Sequence, residues 1–380
     1  MSMENFKFQM IKYCFFLTVC VIALISCNSK NETGKKVIIA YIYANDTILN
    51  ENSVDVQKIT HINFAFANIV DGKIAEGGKT DSVNFSILSR LKHKNPDLKV
   101  LISVGGWSWS GNFSEMATGI ENRNKFIESA IAFVKKYQLD GIDIDWEYPG
   151  LPGDENPFKP EDKENFTSLM QELRQSLTTL GKETGTNYLL TFAAGAFADY
   201  VKHIEASKVV GFVDYINLMT YDFCGEWDTV TGFHTNLYAP KNGSNANSAQ
   251  KTVELFTSAG VPAQKLVLGI AFYGHGWRDV SSINNGQGQK GKGYNPGYSF
   301  KSITANYLGK NGYNRYFDST AKAPFIYNPD SLIFITYEDP ESIGYKCEYL
   351  KKADLAGAMF WELMDDYKGQ LLDAVYKGLE

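Results

Sequence analysis

Cysteine is scarce in this chain: there are five in 380 residues, and Cys14, Cys20 and Cys27 fall close to the N-terminus. Beyond them stand only Cys224 and Cys347. Two cysteines in a body of that length do not make a disulfide framework, so two free thiols are expected. Positive charge is not concentrated anywhere either. Lys and Arg total 37 against 43 Asp and Glu, a formal net charge of −6. A mildly acidic chain without a basic block gives no footing for nucleic acid, which is not expected as a partner. No His/Cys cluster has metal-ligand spacing, so neither a metal nor another cofactor is expected. The apolar run Tyr13–Ile25 is too short and too one-sided to span a bilayer. What remains is ordinary core material, 44% hydrophobic, in a length that suits one large domain or two smaller ones.

The N-terminus reads as a targeting segment. Lys7 and Lys12 precede the apolar run, which has the length of a signal-peptide core. It closes on Leu24-Ile25-Ser26-Cys27, which resembles a bacterial lipobox, and a polar Asn-Ser-Lys-Asn stretch follows. The resemblance implies a signal over 1–26, lipidation of Cys27, a tether over 27–36, and a protein anchored in the bacterial envelope at the outer membrane. An ordinary secretory peptide with an incidental Cys is the alternative.

From Val37 onward, apolar runs alternate with amphipathic stretches. Strands are expected at 37–43, 60–69, 98–104, 140–147, 188–194, 213–219, 265–272 and 355–361. Val54, Val56 and Ile59 are expected in a helical turn between the first two. Helices are expected over 81–94, 121–137, 160–180 (ended by Gly181), 247–259 and 341–352, the last with Asp339 as N-cap and Pro340 in its first turn. Near-continuous apolar strands separated by helices indicate parallel strands buried on both faces. Eight such units predict a (β/α)8 TIM barrel over 37–273 and 339–380. An open doubly wound sheet is disfavoured because no Gly-rich phosphate loop follows the first strand. The link from Phe272 to Leu355 is too long for a loop and one helix. Residues 274–338, rich in Tyr, Phe, Gly and Asn, are expected to form a small α+β insertion between strand 7 and helix 7.

One stretch organises the rest: Asp140-Gly-Ile-Asp143-Ile-Asp145-Trp146-Glu147-Tyr148-Pro149. Its period of two puts Asp143, Asp145 and Glu147 on one face of a strand, with Ile144 and Trp146 on the other. Carboxylates packed that closely cannot all ionise cheaply, so at least one pKa should rise, and the titration belongs to the cluster. A carboxyl kept protonated near neutral pH can act as a general acid. A calcium site or a charged, solvated strand is the alternative, but calcium loops space their ligands with Gly and turns rather than with Ile and Trp. In a barrel the active face lies at the C-terminal strand ends. Glu147 falls there, and so do all six Trp: Trp107, Trp109, Trp146, Trp227, Trp277 and Trp361.

Asp140, Asp143, Asp145 and Glu147, followed by Tyr148-Pro149, resemble the Asp-x-x-Asp-x-Asp-x-Glu motif of glycoside hydrolase family 18. The likeness continues through Ser103-Val-Gly105-Gly106-Trp107, Met219-Thr-Tyr221-Asp222, Phe272-Tyr273-Gly274 and Trp361-Glu362. Ala323–Tyr327 and Tyr337–Ser342 resemble the family's insertion domain and the helix after it. His275 departs from the pattern, since many relatives carry Arg there. The resemblance implies that Glu147 protonates the glycosidic oxygen and that the substrate's own 2-acetamido group attacks the anomeric carbon. Asp143 and Asp145 share Glu147's strand face and are poorly placed to act as the opposing nucleophile. Asp145 would hold the acetamido group, Asp143 would share a proton with Asp145, Tyr221 would bond the acetamido oxygen, and Trp361 would floor the sugar. Gly105, Gly106, Trp107, Tyr148, Met219, Asp222, Tyr41 and Phe64 would complete the substrate site. The expected function is retaining hydrolysis of chitin or chito-oligosaccharides by a monomer. An endo-β-N-acetylglucosaminidase acting on N-glycan cores is the alternative within the family, and a chitin-binding lectin the alternative outside enzymes.

Overall fold

The strands predicted from alternation close into a ring in the computed structural model, which describes residues 35–241 and 247–380. They are β1 (Val37–Tyr43), β2 (His61–Val70), β3 (Lys99–Gly105), β4 (Gly141–Asp145), β5 (Leu189–Gly195), β6 (Tyr215–Met219), β7 (Leu266–Ala271) and β8 (Gly357–Trp361). Each is parallel to the next, and β1 pairs with both β2 and β8, so the barrel has no edge. A short strand, Lys73–Ala75, hairpins back onto β2 outside the ring. Outward residues such as Ile38, Ala40, Ile142, Ile144, Leu268 and Ile270 are fully or nearly buried in the main core beneath the helices. This is why the strands read as unbroken apolar runs.

The longer helices are α1 (Asp81–Lys94), α2 (Ile120–Tyr137), α3 (Asp162–Thr184), α4 (Ala249–Ser258), α5 (Pro340–Lys352) and α6 (Gln370–Leu379). Two local expectations are corrected. Gly181 does not end α3, which continues to Thr184 and is capped by left-handed Gly185, whose N–H donates to the Gly181 carbonyl. Gly181 has another use: a Cβ there would sit 2.6 Å from the Thr186 carbonyl oxygen as the chain folds back. Likewise Val54, Val56 and Ile59 are not helical. The helical turn is Glu51–Ser53, and the three apolar residues plug the core from irregular chain.

Residues 275–336 build a second, antiparallel sheet of five strands, in the order 292–293, 275–278, 333–336, 323–328, 314–318, with a helix at Phe300–Asn306. Trp277, Phe325, Tyr327 and Phe334 form its core. It belongs to the same compact unit as the barrel, Val37–Glu380. α5 then returns the chain to the barrel. Asp339 caps it by accepting from the Glu341 and Ser342 amides, and Ser342 Oγ accepts the Asp339 N–H in return. Cys224 and Cys347 are both buried and unpaired. The predicted signal 1–26, Cys27 and the tether as far as residue 34 lie outside the described residues.

A buried ion pair between α5 and the chain just before it is joined by hydrogen bonds through Thr235 to the loop after β6. Lys346 Nζ, fully buried, lies 2.7 Å from Glu338 Oε2 and 2.7 Å from Thr235 Oγ1. Thr235 in turn reaches the Thr220 carbonyl, beside Tyr221. Breaking a buried pair strands the remaining charge. Lys346→Met is therefore expected to cost ~3–5 kcal/mol in denaturant unfolding, and Lys346→Met with Glu338→Leu to recover most of that loss.

Candidate active site

The register of the barrel decides what meets Asp143. Ser103, Asp143 and Thr191 are aligned neighbours on β3, β4 and β5, and all point inward. Tyr41 on β1 and Asn217 on β6 reach the same level from across the ring. Asp143 Oδ2 accepts from Tyr41 OH at 2.9 Å and Ser103 Oγ at 2.7 Å. Oδ1 accepts from Thr191 Oγ1 at 2.6 Å and Asn217 Nδ2 at 3.2 Å. Four donors from four other strands thus hold one fully buried carboxyl. Burial still raises its pKa, against these hydrogen bonds.

Asp145, one step nearer the mouth, is the opposite case. Its Oδ1 is buried without a hydrogen-bond partner. Burial first, then the charges of Glu147 and Asp143, push its carboxyl well above the ordinary range. The described hydrogen bonds of Asp143 all come from donors on other strands, and none joins it to Asp145. The Asp143 charge still acts on Asp145. Glu147 lies just past the end of β4 and is pushed up to about 7, mainly by burial, with a hydrogen bond from Tyr148 opposing and the Asp222 charge assisting.

The backbone at this rim is held from two sides. Gly105 and Gly106 both have positive φ. A Cβ on Gly105 would come within 2.3 Å of the Asp145 carbonyl oxygen, and one on Gly106 within 2.6 Å of the Phe66 ring. The Gly106 N–H donates to that Asp145 carbonyl at 2.8 Å. Gly105 therefore lets β3 press against β4, and Gly106 makes room for the Phe66 ring of β2. Ser110, which sequence reasoning missed, completes the clamp. Its Oγ accepts the Glu147 N–H at 2.8 Å and lies 2.9 Å and 3.1 Å from the Gly106 and Asp145 carbonyl oxygens. Lone serines carry no sequence signal for such a role.

A cleft of about 810 Å³ opens over these carboxyls. Of the residues anticipated for the site, Tyr41, Gly105, Gly106, Trp107, Asp145, Glu147, Tyr148, Met219, Tyr221, Asp222 and Trp361 all line it. Asp143 lies beneath it. Phe64 does not take part: it is fully buried under α1, edge-on to Phe85 at 5.1 Å. Phe66 takes its place, because a bulge between Ala65 and Ala67 interrupts the alternation of β2. Phe66 stacks on Trp361 with centroids 5.3 Å apart, and Tyr41 and Tyr43 extend the aromatic shelf. Among the tryptophans, Trp107, Trp109, Trp227 and Trp361 line the cleft. Trp146 is stacked on Phe113 in the core, and Trp277 is buried in the second sheet, so the expected active-face placement fails for these two.

One wall carries a second polar cluster. Asp222 Oδ1 accepts from Tyr273 OH at 2.6 Å and contacts His275 Nε2 at 2.8 Å. His275 Nδ1 meets Glu226 Oε2 at 2.5 Å. Burial lowers the His275 pKa, but the two carboxylates outweigh it and hold it up at about 9. Enclosure by the cleft wall works to raise the half-exposed Asp222, yet the imidazoles of His234 and His275 keep it well below the usual carboxylate range. Asp222, His234 and His275 are the cluster among the described residues able to hold a metal ion.

A closed parallel barrel with a protonatable carboxyl at its mouth and an aromatic cleft above it has the parts of a glycoside-hydrolysing barrel. The chain belongs to glycosyl hydrolase family 18, whose model matches residues 37–366. It is 39% identical to Chitinase A1 of Niallia circulans over 83% of this chain, and spans about half (54%) of that longer protein. It is 33% identical to Chitinase 1 of Aphanocladium album, over 85% of this chain and 79% of the relative. Among solved structures, a family 18 N-acetylglucosaminidase from Paenibacillus barengoltzii superposes with a TM-score of 0.84 at 42% identity, covering 90% of this chain and 99% of the other.

The Ser110 clamp makes a direct prediction. Ser110→Ala leaves the Glu147 N–H buried without an acceptor, an expected loss of ~1–3 kcal/mol in denaturant unfolding.

Proposed function

We propose that this protein hydrolyses β-1,4-linked N-acetylglucosamine chains, chitin or its soluble oligosaccharides, with Glu147 as general acid. The observation that carries the proposal is the pairing of a Glu147 carboxyl raised to about 7 with a buried, unpartnered oxygen on Asp145, side by side in an aromatic cleft. A group that is protonated near neutral pH can give its proton to a leaving glycosidic oxygen. The unsatisfied Asp145 atom suits a polar ligand group such as the substrate's 2-acetamido function, and its raised pKa suits a site that changes charge during reaction. Asp143, fully occupied by four donors, acts on the reaction through its field at Asp145. Among the described residues the other carboxyl lining the cleft is Asp222, whose Oδ1 is engaged by Tyr273 and His275, which favours attack by the substrate's acetamido oxygen and retention of configuration. Tyr221 and Trp361, on the cleft wall and the shelf, would contact the acetamido group and the sugar face.

The relatives named above are chitinases and an N-acetylglucosaminidase. The products therefore decide the type of cut. Incubated with chitohexaose, the protein is expected to release short chito-oligosaccharides, and Glu147→Gln to release none, as read by mass spectrometry. Release of N-acetylglucosamine alone would move the assignment to an exo-acting enzyme. Cleavage confined to a high-mannose N-glycopeptide would make it an endo-β-N-acetylglucosaminidase. Binding without cleavage by either protein would leave a lectin. The pH profile supplies a second check. The acid must be protonated in the free enzyme, so kcat/KM is expected to fall about tenfold per pH unit once pH exceeds about 7.

Lipid anchoring at Cys27 in the bacterial outer membrane belongs to the same proposal, supported by the Leu-Ile-Ser-Cys sequence and the polar stretch after it. Cys27→Ser is expected to shift the protein from the membrane to the soluble fraction after cell breakage.

A further inference from the structure

We propose that Asp222, His234 and His275 form a binding site for a borderline divalent cation of the zinc class on the wall of the cleft. The three residues come from separate segments: Asp222 just after β6, His234 twelve positions on, and His275 at the start of the second sheet. Their ligand atoms all lie within 4.8 Å of one another. In a tetrahedral zinc site with bonds of about 2.0–2.1 Å, neighbouring ligand atoms stand about 3.3 Å apart. Asp222 Oδ1 is 2.8 Å from His275 Nε2 and 3.8 Å from His234 Nδ1, so the two spacings straddle that value.

His234 is the observation that points to a ligand. Its side chain is fully buried, yet neither ring nitrogen has a hydrogen-bond partner. At 3.8 Å, Nδ1 is too far from Asp222 for a hydrogen bond, though it faces the oxygen that His275 already contacts. Buried polar atoms are rarely left unmatched, and an unmatched imidazole next to a carboxylate is an unused ligand.

The surroundings have the form of a metal site's outer shell. A ligating His ordinarily donates its other ring N–H to a carboxylate, and His275 Nδ1 is placed for this at Glu226 Oε2. A ligating carboxylate is ordinarily hydrogen-bonded in turn, and Asp222 accepts from Tyr273 OH. Glu226 is itself held by Asn295 Nδ2 at 2.9 Å. The Asp222 side chain is about half exposed to the cleft (45%), which gives the ion a way in and leaves room for water ligands. Two imidazoles and one carboxylate favour zinc, nickel or copper over magnesium or calcium, which prefer all-oxygen cages.

The site does not depend on the glycosidase reading and is tested by binding alone. The full-length protein is dialysed against Zn2+, then against metal-free buffer, and metal per chain is counted by elemental analysis. The unmodified protein is expected to retain about one equivalent, His234→Gln and His275→Arg to lose it, and Glu226→Gln to bind about tenfold more weakly. His275→Arg introduces a cation that can still pair with Asp222 and Glu226 but cannot ligate, so it separates lost ligation from lost folding. Equal retention by the unmodified protein and both His variants, or no retention by any, overturns the site. So does Mg2+ or Ca2+ held as tightly as Zn2+.

Discussion

The structure depends on keeping one carboxyl, that of Asp143, in the middle of a closed barrel. A buried carboxylate without partners is untenable, and donors on a single strand could not satisfy both of its oxygens. Tyr41, Ser103, Thr191 and Asn217 do so from four other strands. The solution works only when the ring is closed and every strand is in register, since a slip of one residue would turn each of these side chains outward. The polar layer therefore specifies the barrel as much as the barrel shelters the layer.

From that anchor the site is built toward solvent in steps of decreasing satisfaction. Asp143 has every acceptor used, Asp145 has an idle oxygen, and Glu147 meets the cleft with its pKa raised to about 7. The gradient follows strand geometry: the deeper a residue sits, the more strands surround it. The Gly105–Gly106 turn and the Ser110 hydroxyl hold the rim where β4 ends and this enclosure gives out. The second sheet enters the site through its first strand, which brings His275 against Asp222. Behind that wall, the Lys346–Glu338–Thr235 contact ties α5 to the loop carrying His234.

Much of this was legible in residue order. The eight strands lie within a few positions of where alternation and apolar runs put them, because strands buried on both faces leave a strong pattern. α1 and the Asp339 cap were equally clear, since helix ends have their own local chemistry. The acidic row marked the site, because three carboxyls at period two have few structural uses. The failures have local causes as well. Phe66 rather than Phe64 reaches the cleft, because a bulge after Ala65 breaks the alternation of β2, and nothing in residue order marks that bulge. Trp146 and Trp277 lie near strand ends as expected, but position along a strand does not say which way an indole points. Gly181 was read as a stop when it serves a close approach of two chain segments.

The sequence by itself determined the fold class, the strand that carries the chemistry and the family, because each is written in short-range patterns: period, spacing and motif. The tertiary structure decided which groups meet. The four donors on Asp143 are separated from it by 40 to 102 positions along the chain. Asp222, His234 and His275 show no ligand spacing in the sequence and converge only when the second sheet folds against the barrel. A carboxyl's pKa, a hydroxyl's partner and a pair of imidazoles near one oxygen depend on distances through space, and those exist only once the ring has closed.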